Sequence, residues 1–99
     1  MTCYAYAIGR GELAYIADML CSLYAQLLHL RYVVQVACGD VQLVFMWGPV
    51  DRPLSCAARF ARFVRELGEP GLARCLADHA GAPGVMGELL RAVLTHLAL

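Results

Sequence analysis

The stretch that most constrains this chain is Tyr32–Trp47, YVVQVACGDVQLVFMW. Two runs rich in β-branched and aromatic residues flank Gly39-Asp40. Gly followed by Asp suits a two-residue type II′ turn, whose first central position takes a positive φ. Such a turn dictates a register. Cys38 faces Val41, Ala37 faces Gln42, Val36 faces Leu43, Gln35 faces Val44, Val34 faces Phe45 and Tyr32 faces Trp47. One face of the ribbon is then wholly apolar or aromatic: Cys38, Val41, Val36, Leu43, Val34, Phe45, Tyr32 and Trp47. The other carries Gln35 and Gln42 among Ala37, Val44, Val33 and Met46. A two-stranded ribbon is marginal alone, so helices are expected to cover the apolar face. The second face is too apolar for a plainly solvated surface, which makes Val33, Val44 and Met46 candidate interface residues.

Composition sharpens this point. The chain has 99 residues, the size of one domain, and 61% of them are hydrophobic. A typical soluble domain has about 45–50%. The mean hydropathy is +0.59. A domain this small has too little interior to hide that much apolar surface, so part of it is expected to meet a subunit or another protein. A membrane span is not expected. It needs about 20 largely uncharged residues, and the charge-free run from Met19 to Leu30 is shorter and holds Ser22, Gln26 and His29. MTCYAYAIGRGE has no basic stretch ahead of an apolar one, so it does not read as a signal peptide. The expected location is intracellular: cytoplasmic, or nuclear for a protein of a eukaryotic virus. Net charge is zero, with eight Arg, no Lys and eight acids. That balance argues against a broad electrostatic grip on nucleic acid. The abundance of Ala, Gly, Leu and Arg suits a GC-rich source, bacterial, phage or viral. The five cysteines, Cys3, Cys21, Cys38, Cys56 and Cys75, form no C-x-x-C pair. In an intracellular protein they are expected to be reduced and buried.

Along the chain, Thr2–Ile8 alternates as a strand does, with Tyr4, Tyr6 and Ile8 on one face and Cys3, Ala5 and Ala7 on the other. Glu12–Leu30 carries the longest helical pattern. Leu13, Ile16, Leu20, Leu23, Leu27 and Leu30 recur at 3–4 spacing, opposite a thin polar stripe of Asp18, Ser22, Gln26 and His29. So thin a stripe implies a largely buried helix. Tyr15, Met19, Tyr24 and Leu28 widen its apolar side and join the candidate interface. After the hairpin, Asp51 can cap a helix with Pro53 in its first turn, and Gly68 can stop it. Cys56, Phe60, Phe63, Val64 and Leu67 form its buried side, and Arg52, Arg59, Arg62 and Glu66 lie largely opposite. Leu72–His79 reads as a short helix and Val85–Leu97 as a last one. The expected architecture is α+β, one domain over residues 1–99, ordered β-α-β-β-α-α-α, with a small mixed sheet packed by helices. A ferredoxin-like fold begins in this order, and the topology is common to many functions.

Four local patterns suggest chemistry. Gly9-x-Gly11, with Ala14 in the third position, follows a strand and opens a helix, as in dinucleotide-binding turns. The acid expected about 20 residues later is missing, so a flexible turn is the better reading. Cys75 and His79 stand i, i+4 on a helix and could share a metal. A structural zinc wants four ligands, and Cys56 and His96 would have to come from elsewhere. No metal or other cofactor is expected. A Cys nucleophile with a His base lacks any marked pair, apart from Asp78 beside His79, so catalysis is not expected. Arg52, Arg59, Arg62 and Arg65 could contact nucleic acid, though Arg62 and Glu66 also form an ordinary i, i+4 pair. The expectation that absorbs most of the sequence is a non-enzymatic adaptor or regulatory protein. It would be a homodimer or higher oligomer with a second protein partner, working through apolar surfaces. A nucleic-acid accessory protein is the alternative.

Overall fold

The computed structural model describes residues 3–9, 23, 26–27, 29–48 and 53–98. These residues are α+β and group by their contacts into two units, Met1–Asp51 and Arg52–Leu99.

The first unit holds β1 (Cys3–Gly9), β2 (Tyr32–Cys38) and β3 (Val41–Trp47). The hairpin register is the one that Gly39-Asp40 implies, pairing Cys38 with Val41 and Tyr32 with Trp47. Gly39 has φ 61°, while Asp40 stays at negative φ, which is the type II′ combination. The sheet order is β1-β3-β2, antiparallel throughout. The expectation of a mixed sheet is therefore corrected. β1 and β2 do run in the same direction, but β3 is inserted between them, so no two neighbours are parallel. This is the strand order of a split β-α-β unit. Leu23, Gln26 and Leu27 are helical within the β1–β2 connection.

His29 has φ 55°. A non-glycine residue visits this left-handed region mainly to end a helix. The turn delivers Leu30 into a cluster with Val44 and Met46, against which Tyr6 packs. Arg31 N–H then donates to the Trp47 carbonyl at 3.1 Å, at the start of β2. On the opposite face of the sheet, Val34, Val36, Leu43, Phe45 and Trp47 are buried. Gln42 Nε2 donates to Gln35 Oε1 across the ribbon, which gives this half-buried polar pair one direct hydrogen bond.

The second unit holds α1 (Pro53–Leu67), α2 (Leu72–His79) and α3 (Gly84–Leu97), with α3 packed on both of the others. Cys56, Ala57, Phe60, Ala61 and Val64 are the buried stripe of α1. Their 3–4 spacing is what makes the segment a one-faced helix. Leu72, Leu76, Leu89, Leu90 and Val93 complete this core, while Phe63 and Leu67 are half-buried. Gly68 ends α1, and its N–H donates to the Arg65 carbonyl at 3.2 Å. Arg91 Nη1 donates to the Ala80 carbonyl at 2.7 Å, tying α3 to the turn that precedes it. Gly87 is required there, because a Cβ on it would stand 1.8 Å from the Ala82 carbonyl oxygen.

The cysteines are the second correction. Cys3, Cys38, Cys56 and Cys75 are disulfide-bonded, where the composition implies free thiols. An odd count without C-x-x-C says nothing about which distant cysteines the fold brings together.

Candidate interaction surface

Period-2 and period-3.6 patterns decide which face a residue is on. The strand's place in the sheet decides whether that face is open. β3 is central, with a strand on each side, and Leu30 and Tyr6 pack over its second face. Val44 and Met46 are consequently 0% and 1% exposed and belong to the core, not to an open surface. Val33 lies on the outer strand β2 in the same row as Met46 and is 38% exposed. Tyr4 completes that row on β1, also at 38%. The row Tyr4–Met46–Val33 is thus buried in the middle and open at both ends.

The described part of the β1–β2 connection adds a second apolar feature. Leu23 and Leu27, i and i+4 on one helix face, are 50% and 65% exposed. The periodicity assigns them to a buried stripe, and these two residues correct it. Gln26 beside them is exposed as well. Tyr15, Met19, Tyr24 and Leu28 lie outside the described residues. Tyr32 is exposed at its outer edge while its ring stacks on Trp47, with centroids 5.3 Å apart. Tyr4 and Tyr32 were not legible as surface residues, because alternation alone does not tell an edge strand from a central one, and Leu23 and Leu27 were not, because helical periodicity does not show what lies against a face.

The arginine face of α1 is present in part. Arg59, Arg62 and Arg65 are exposed, and Arg52 lies outside the described residues. Arg62 Nε bonds to Glu66 Oε1 at 3.1 Å, the i, i+4 pair that the spacing predicts. Both side chains are well solvated, so the pair contributes only about 0.3–0.5 kcal/mol. Arg65 Nη2 donates to the His96 carbonyl at 2.7 Å, which turns one cation to joining α1 and α3.

The other candidate positions are also placed. Gly9 is the exposed last residue of β1, while Gly11 and Ala14 lie outside the described residues. Cys75 and His79 do come together, with Sγ 4.0 Å from Nδ1. Nδ1 is also 2.9 Å from the Cys75 carbonyl oxygen, so Nδ1–H donates to the backbone. With Cys75 in a disulfide, no thiolate is available there to bind a metal. Among the described residues, no three His, Cys, Asp or Glu side chains are grouped to hold a metal ion. No described helix is long and apolar enough to cross a membrane. Comparison with protein-family models, curated proteins and solved structures finds no match for this chain.

Proposed function

We propose that this is a small, non-enzymatic adaptor or regulatory protein that works by binding protein chains through apolar surface, as a homodimer or higher oligomer with a second protein partner. The observation that carries the reading is the set of apolar side chains that the strand unit turns outward: Tyr4, Leu23, Leu27, Tyr32 and Val33. Burying a Leu or Val side chain contributes about 1.5–3 kcal/mol, so a handful of such residues can hold a specific interface. Tyr is well suited to the task, since it offers a large contact area and a polar tip. An oxidising setting suits the four disulfide-bonded cysteines better than the cytoplasm that the sequence suggests.

The second reading is nucleic-acid binding, and it rests on the exposed Arg59, Arg62 and Arg65 of α1. One variant separates the two. Arg59→Glu, Arg62→Glu and Arg65→Glu together should leave self-association intact. Wild-type protein should show no anisotropy change with labelled DNA or RNA oligonucleotides at physiological salt. Tight oligonucleotide binding by the wild type, lost in the triple variant, would replace the first reading with the second.

A further inference from the structure

We infer that the disulfide holding Cys75 is a redox switch, opened by a dithiol reductant ahead of the chain's second disulfide, and that His79 is the residue that makes it so. This goes beyond the proposed interaction surface and does not depend on it.

Cys3, Cys38, Cys56 and Cys75 are all bonded, and four bonded cysteines make two disulfides. Their surroundings differ. Cys38 and Cys56 are buried, so the disulfide without Cys75 has at least one end in the core. Cys75 is half-buried, which leaves it within a reductant's reach. Cys75 and His79 stand i, i+4 on α2, so their side chains share one face of the helix. His79 Nδ1 lies 4.0 Å from Cys75 Sγ and 2.9 Å from the Cys75 carbonyl oxygen. The bond from Nδ1–H to that carbonyl holds the ring beside the sulfur. Arg74 and Asp78, the charged residues flanking the pair on α2, bond to each other at 3.3 Å, so their charges largely offset.

Reduction turns the disulfide and two reductant thiols into two protein sulfurs and one reductant disulfide. The S–S bond of Cys75 breaks, and two electrons pass to its sulfurs from the reductant. Of the two protons that the reductant gives up, one goes to the sulfur bonded to Cys75. The other is held by the His79 ring at Nε2, and the resulting imidazolium stands against a Cys75 thiolate. A cation beside a thiolate favours it over the thiol. In the oxidised chain the Cys75 sulfur carries no charge for the ring to meet, so the stabilisation belongs to the reduced state alone. A disulfide whose reduced form is stabilised in this way opens at a less reducing potential. A thiolate so held is also the better leaving group, so the bond opens sooner. A charge pair at about 4 Å in a half-buried setting is enough to move such an equilibrium about tenfold.

Buffers of reduced and oxidised dithiothreitol at pH 7, quenched with iodoacetamide and read cysteine by cysteine by mass spectrometry, test this. In the wild type, Cys75 should be half-alkylated at a potential at least about 30 mV less reducing than the disulfide that lacks it, a tenfold difference in equilibrium constant. His79→Gln keeps a polar side chain and removes the cation. It should move the Cys75 midpoint by about 30 mV towards more reducing potential. His79→Lys restores a cation and should return most of that shift, which a residue that merely packs α2 would not do. Should a variant not fold, the order of the two wild-type midpoints decides alone. Cys75 alkylated together with the other pair or after it, or a folded His79→Gln with the wild-type midpoint, would overturn the inference.

Discussion

Tyr32 lies on Trp47, ring centroids 5.3 Å apart and planes inclined by 18°, at the open end of the hairpin opposite its turn. Trp47 is wholly buried, while Tyr32 keeps its outer edge in solvent. The pair closes the end that the turn cannot hold. An offset aromatic stack is worth about 0.5–1.5 kcal/mol beyond its burial. Tyr32→Ala should therefore cost about 1–2 kcal/mol. Tyr32→Phe should stay within about 0.5 kcal/mol of wild type. Urea unfolding followed by the fluorescence of Trp47, the single Trp, measures both. Equal midpoints for Tyr32→Ala and wild type would show that the stack carries no weight.

Leu43 is fully buried in the central strand, between Ala7 and Val36. A lone carboxylate there has no partner, and its burial costs several kcal/mol. That is comparable to the whole stability of a small domain, about 5 kcal/mol at the low end. Leu43→Asp should leave the chain unfolded by circular dichroism at 25 °C. A cooperative melt would contradict the register or the burial.

Gly87→Ala runs against helix propensity. Ala normally gains about 1 kcal/mol over Gly inside a helix. Here its Cβ would meet the Ala82 carbonyl oxygen at 1.8 Å, and backbone cannot move aside cheaply. The change should destabilise by about 1–3 kcal/mol, the usual cost of overpacking. A rise in melting temperature would show that the turn before α3 is looser than this contact requires.

Much of the fold was legible in the residues. Gly39-Asp40 specifies both the turn and the pairing of every residue in the hairpin, since a slip of one position would turn Val36 and Leu43 outward. The α1 stripe and its stop at Gly68 follow from 3–4 spacing and punctuation. Sheet order was not legible, because it depends on where the β1–β2 crossover lands. That hid the burial of Val44 and Met46, which the central place of β3 causes, and the exposure of Tyr4, which the edge place of β1 causes. Leu23 and Leu27 illustrate the same limit. Periodicity marks an apolar face and leaves open what lies against it.

The cysteines offer a chemical check. Four of the five are disulfide-bonded, so titration under denaturant without reductant should find at most one thiol per chain. Reduction should then lower stability by about 2–4 kcal/mol per bond lost, chiefly by freeing the unfolded chain. Five reactive thiols in freshly isolated, non-reduced protein would contradict the bonded state.

Self-association is tested most directly by light scattering after size exclusion, at micromolar concentration and without reductant. The exposed apolar residues call for a mass of at least twice the chain's 10.8 kDa. A single monodisperse peak near 10.8 kDa across the accessible concentrations would contradict it.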